Sequence, residues 1–155
     1  MKVYELKYTQ DLPRPRAEVF EFFADPHNLE KITPPWLHFE IQTPMLMGVK
    51  RDTQIDYRLR LHGIPLRWTT EITAWDPPRR FVDQQMKGPY RLWIHEHHFH
   101  ELPGGGTRIT DEILYAPPFG ALANWLLVDR DLKAIFKYRQ ERLVEILGSP
   151  RTSTD

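Results

Sequence analysis

The chain has 155 residues, 41% of them hydrophobic, a length that one domain accommodates while burying about two-thirds of its extended-chain surface. Its 21 basic and 21 acidic residues cancel, so no long-range field favours nucleic acid or an anionic membrane as partner. Cysteine is absent, which excludes disulfides, thiolate nucleophiles and cysteine-based metal sites together and suits a reducing cytoplasm.

Residues 1–10 lack a signal-peptide core, and no apolar run approaches the roughly 18 residues of a membrane span. A soluble cytoplasmic protein with no membrane span is therefore expected. Residues 1–12 alternate weakly, with Tyr4, Leu6 and Tyr8 on one face, and read as a first strand ended by Pro13 and Pro15. Ala17, Val19, Phe20 and Phe23 then recur at helical spacing over 16–24. Asp25 caps a second short helix that begins at Pro26 and ends near Ile32. Phe20, Phe23, Leu29 and Trp36 are the side chains these helices are expected to lay on a sheet.

From Leu37 the period switches to two. Leu37, Phe39 and Ile41 alternate with polar residues and predict a second strand. Ile55, Tyr57, Leu59 and Leu61 share the inward face of a third, and Leu66, Trp68, Thr70 and Ile72 that of a fourth. Phe81, Asp83 and Gln85 lie on one side of a fifth strand over 81–86. Gly88-Pro89 predicts a bulge or bend before the next. After Pro117-Pro118 the pattern turns helical over 119–147, with Leu122, Trp125, Asp129, Leu132, Phe136, Arg139 and Leu143 in one stripe. Such a helix would run ~44 Å, long enough to cross a domain. Gly148 and Pro150 end it, and 149–155 reads as a flexible tail behind a single domain over 1–148.

The most informative stretch is a hairpin of strands over 91–102 and 107–116. Trp93, His95, His97 and Phe99 share one face of the first, and Ile109, Asp111, Ile113 and Tyr115 share one face of the second. Faces this aromatic should turn inward, taking two histidines and an aspartate with them. A turn closing at 102–106 pairs Glu101 with Thr107 and sets His97 opposite Asp111, within ~5 Å between Cβ atoms. A slip of two residues would oppose Phe99 and Asp111 instead. A buried His97–Asp111 contact is the local expectation, either as a pair that fixes register or as a group that meets a ligand.

The element order is β–α–α–β–β–β–β–β–β–α, an α+β fold. A curved seven-stranded antiparallel sheet follows, with two short helices after the first strand and a long C-terminal helix across the concave face. A helix ~10 Å wide cannot fill a broad concave surface. Ligand sites are concave, apolar and carry few polar groups, so the gap is the expected site. Trp68, Trp93, Tyr57, Ile113, Tyr115, Phe119 and Trp125 would supply its walls; His95, His97, Asp111 and Gln85 would supply its polar groups.

This order resembles the START-like helix-grip superfamily, with its birch-pollen-allergen fold, aromatase/cyclase domains and coenzyme Q-binding proteins. The residues that carry the likeness to its polyketide cyclase/dehydrase branch are Pro34-Pro35, Trp75-Asp76-Pro77-Pro78, Phe81, Asp83 and Gly88-Pro89. Trp93, His95, His97, Phe99, Asp111, Tyr115, Pro117 and Tyr138-Arg139 complete them. The resemblance implies the fold and a small hydrophobic ligand such as a quinone, an aromatic polyketide-like molecule or a lipid. It carries over no catalytic residue.

Binding without chemistry is the first functional expectation. A cyclase/dehydratase-type enzyme is the alternative, with His97 held by Asp111 as general base and His95, Gln85 or Tyr57 as donors to a developing enolate. An interaction module with a filled core, using the basic side of the long helix, is the third. No metal and no cofactor are expected. Two imidazoles and one carboxylate make only a minimal metal site, and the triple glycine 104–106 is a hairpin turn that opens no helix. Nothing in the sequence sets an oligomeric state.

Overall fold

A computed structural model describes residues 2–44, 48–117 and 121–149, with the side chains of 121–126 outside the description. β1 (Tyr4–Leu12) leads into α1 (Arg16–Ala24) and α2 (Pro26–Ile32). Asp25 caps α2 as expected, its Oδ1 accepting from the His27 amide at 3.0 Å, with Pro26 in the first turn. β2 (Glu40–Ile41), β3 (Gln54–Leu61), β4 (Ile64–Asp76), β5 (Arg80–Lys87), β6 (Leu92–Glu101) and β7 (Thr107–Ala116) follow, and α3 (Ala121–Leu147) closes the chain. No helix among the described residues is long and apolar enough to cross a membrane.

The strands form one seven-stranded antiparallel sheet in the order β1-β7-β6-β5-β4-β3-β2. Every connection from β2 onward joins neighbours, and only β1 crosses over, to pair with β7 at the far edge. The period-two faces hold: Ile55, Trp68, Thr70 and Ile72 are buried, while Gln54, Asp56, Arg58 and Arg67 are exposed. α3 lies across the concave face in the helix-grip arrangement, with Leu132 and Phe136 packed against Trp68, Trp93, Ile113 and Tyr115. At the other end Leu143 and Leu147 join Phe20, Phe81, Phe99 and Ile109 under the two short helices. These are two clusters rather than one continuous core, and the polar residues of β6 stand at their junction.

The structure departs from the sequence reading in two places. The strand expected from Leu37 is only Glu40–Ile41, because Pro34 and Pro35 start a 3₁₀ turn over Pro35–Leu37 that takes Leu37 out of the ladder. That turn also swings Trp36 outward. It is 55% exposed and meets Tyr138 edge-on, at 5.8 Å between ring centroids, instead of lying on the sheet. Gly88-Pro89 forms a bend between strands, one of the two forms expected there, and the ladder irregularities of the β4–β5 pair fall at Thr69/Thr70 and Ile72/Ala74. The start of the helix expected at 119, and the tail beyond 149, lie outside the described residues.

Candidate functional site

β6 is the central rib of the site. Its alternation turns Trp93, His95, His97 and Phe99 inward, each at most 8% exposed. The ladder pairs His97 with Asp111 on β7, in the expected register, and pairs His95 with Asp83 on β5. The short hydrogen bonds nevertheless run diagonally. His95 Nε2 meets Asp111 Oδ1 at 2.7 Å, and His97 Nε2 meets Asp83 Oδ2 at 2.6 Å. The in-register approaches are longer, 3.4 Å for His97 Nδ1 to Asp111 Oδ1 and 3.9 Å for His95 Nδ1 to Asp83 Oδ2. Directly opposed Cβ atoms sit too close for an imidazole and a carboxylate laid end to end, whereas the diagonal of ~7 Å suits them.

Two further groups fix this set. The Phe81, His97 and His95 rings stack in sequence, with centroids 4.1 Å and then 3.8 Å apart. From α3, Arg139 brings its guanidinium down so that Nη2 donates to Asp111 Oδ1 at 3.4 Å, while its carbon lies 5.2 Å from the Phe23 ring centroid and 5.5 Å from that of Phe136. Burial alone would raise the Asp111 carboxyl. The Arg139 charge and the His95 and His97 bonds outweigh it and hold that carboxyl well below the usual range. Asp83 is lowered the same way, its burial overcome chiefly by the His97 bond. The imidazoles part company. Burial and the neighbouring His97 push His95 down, towards the neutral form, whereas its bonds to Asp111 and Asp83 overcome burial at His97 and raise it.

Beside this polar wall a cavity of about 220 Å³ opens between sheet and α3. Of the residues expected there, Tyr57, Trp68, Trp93, His95 and His97 line it. Asp111 sits behind the imidazoles. Gln85 is turned away to clasp the 88–91 bend, donating Nε2 to Tyr90 O at 2.7 Å and accepting from Tyr90 N at 3.1 Å. Ile113 and Tyr115 pack within the aromatic cluster under α3 and do not line the space. Phe119 and the side chain of Trp125 lie outside the described residues. The sequence reading overlooked Asp83, Phe23, Tyr90, Phe136 and Arg139, all of which line the cavity. The signals were present: Asp83 shares a strand face with Phe81, and Arg139 is a cation inside an apolar helical stripe.

Among the described residues two clusters offer three metal-ligand atoms within 4.8 Å of one another: Asp83, His95 and His97 inside, and Glu96, His98 and Glu112 on the outer face. Inside, both imidazoles are already bonded to carboxylates, His95 Nε2 to Asp111 at 2.7 Å and His97 Nε2 to Asp83 at 2.6 Å. Outside, Arg80 at 3.0 Å from Glu96 and Lys7 at 3.7 Å from Glu112 already balance the carboxylates.

The family model described as "Polyketide cyclase / dehydrase and lipid transport" matches residues 4–148. No curated protein matches the chain. Solved structures share its fold. Protein Ms6760 from Mycobacterium smegmatis is 21% identical with a TM-score of 0.69, covering 94% of this chain and 96% of its own. Protein CV1439 from Chromobacterium violaceum is 11% identical with a TM-score of 0.72, covering 94% and 98%. A START superfamily protein from M. smegmatis is 12% identical with a TM-score of 0.64, covering 92% and 98%.

Proposed function

The chain belongs to the polyketide cyclase / dehydrase and lipid transport family, and from that premise we propose that it binds a compact hydrophobic molecule in the cavity between sheet and α3. Family membership supports a role with hydrophobic ligands. The observation that carries the finer reading is the cavity itself, about 220 Å³ and walled by aromatic and aliphatic side chains with a polar wall at Asp83, His95, His97 and Arg139. Its volume lies below the ~300–1,000 Å³ of pockets for drug-sized ligands. A ring compound suits it better than a long acyl chain. The test is tryptophan quenching by 1,4-naphthoquinone. Quenching should saturate in the wild type and disappear in Leu59→Trp, which places an indole in the space. Quenching that persists in Leu59→Trp counts against the cavity.

One observation supports a catalytic reading, and it moves the base to another imidazole. Both His97 nitrogens face carboxylates, whereas His95 is held by Asp111 through Nε2 and leaves Nδ1 3.9 Å from Asp83, outside hydrogen-bond range. A neutral His95 with Nε2–H on Asp111 has a lone pair at Nδ1 to take a proton, the arrangement of a general base oriented by a carboxylate. In that case His95→Gln abolishes turnover of an enolisable ketone while naphthoquinone quenching survives.

A further inference from the structure

Two cavity-lining side chains carry a buried N–H that meets no acceptor among the described residues: Arg139 at Nε and Trp68 at Nε1. Arg139 is the more exposed to this want. Of the five N–H donors a guanidinium presents, one meets a side-chain acceptor among the described residues, Asp111 at the long distance of 3.4 Å. Its cation is otherwise held by the faces of Phe23 and Phe136, which offer no oxygen. A buried donor without an acceptor forfeits its hydration and recovers nothing. Both orphaned groups belong to residues of the cavity wall and both are donors, so what each lacks is an acceptor oxygen.

The charges beside them decide what kind of oxygen. Asp83 and Asp111 supply two buried or half-buried carboxylates; Arg139 supplies one cation, and His97, bonded to Asp83 and facing Asp111, is set to supply the second. With His97 protonated, two cations face two carboxylates and the group is balanced. A carboxylate or phosphate on the ligand would add a third anion to a space with little water, where unbalanced charge is costly. A neutral carbonyl adds none.

Resting on the small-molecule reading above, we propose that the cavity selects uncharged carbonyl compounds, whose oxygens accept from the Arg139 guanidinium and the Trp68 indole, over hydrocarbons and carboxylate anions of the same shape.

The test compares ethylbenzene, acetophenone and benzoate by NMR titration of the full chain. A purely apolar pocket favours ethylbenzene, because acetophenone must shed water from its carbonyl. The wild type is expected to bind acetophenone at least as tightly as ethylbenzene, and benzoate more weakly than either. In Trp68→Phe, and in Arg139→Met combined with Asp111→Asn so that both charges leave together, preference should move toward ethylbenzene by about tenfold, the worth of one hydrogen bond. Should the double variant fail to fold, arginine side-chain N–H signals of the wild type serve instead: acetophenone should move one and ethylbenzene none. The proposal falls, with the cavity reading intact, if the wild type prefers ethylbenzene tenfold or benzoate binds best, or if no arginine signal responds. If none of the three compounds binds, both readings fall.

Discussion

His97 lies directly across the β6–β7 ladder from Asp111, yet its short hydrogen bond runs to Asp83 on the other neighbouring strand, at 2.6 Å. The imidazole is thereby clamped between carboxylates from both sides, with Asp111 at 3.4 Å from its other nitrogen. His95 takes the complementary diagonal to Asp111. Three adjacent strands are cross-linked by side chains at one level of the sheet, and α3 is tied to the same point through Arg139. Residues that line the cavity therefore also tie the sheet and α3 together.

Replacing His97 with glutamine should destabilise the fold markedly. It strips two carboxylates of their shared partner and breaks the stack on Phe81. Removing one member of a buried ion pair costs about 3–5 kcal/mol, which in a chain of this length is a fall in melting temperature of roughly 6–20 °C. Thermal unfolding followed by circular dichroism gives the value. An unchanged midpoint would mean that the clamp contributes nothing to the fold.

Acid should dissolve the same network through its carboxylates. Asp111 is held below its ordinary value of 3.8, so the unfolded chain binds this proton more tightly than the folded one. Its stabilisation is full above 3.8 and is lost as pH falls through the lowered value. Asp83 behaves alike. His97, raised above 6.5, contributes fully below 6.5 and fades as pH climbs through its raised value, whereas the lowered His95 acts below 6.5, costing stability as pH falls towards its lowered value. The acid limb is thus the cleaner signal. Urea unfolding at stepped pH should show wild-type stability dropping below pH 3.8 and a shallower slope for Asp111→Asn. Parallel curves would argue that Asp111 is not charged in the folded protein.

Gln85 illustrates how a residue on the right face can serve another purpose. Its amide holds both backbone groups of Tyr90, and the clasp shapes the bend that puts Pro89 and Tyr90 in the cavity wall. Gln85→Ala leaves those backbone groups unpaired and should cost about 1–3 kcal/mol. Naphthoquinone quenching should weaken in the same variant, since Tyr90 packs on both Trp68 and Trp93. Equal stability with weaker quenching would instead make Gln85 a direct ligand contact.

The fold was legible because it rests on local periodicity. Strand faces, the Asp25 cap and the long helix follow from spacing within one element, and the hairpin register at Glu101–Thr107 from the short turn that joins two. The site was legible only in part, since its geometry depends on which strand lies on the free side of β6. Asp83 reaches His97 because β5 pairs there with Phe81 opposite His97, and no local pattern announces that register. Arg139 sits at a core position of the helical stripe, but its partner is 28 residues earlier. The same limit explains Ile113 and Tyr115, whose inward face was read correctly while α3, pressed against them, keeps them from the cavity.

Trp36 provides the sharpest test of the local correction near the second strand. A tryptophan laid on the sheet would bury a large apolar area, and its truncation to alanine would cost about 3–5 kcal/mol. The 3₁₀ turn that follows Pro34 instead leaves the indole 55% exposed, with an edge-on contact to Tyr138 as its main aromatic partner. An aromatic pair of that kind is worth about 0.5–1.5 kcal/mol beyond area burial. Trp36→Ala should therefore lower stability by roughly 1 kcal/mol, against about 3–5 kcal/mol for Phe99→Ala in the buried cluster. Chemical denaturation of the two variants side by side decides it, and equal losses would return Trp36 to the core.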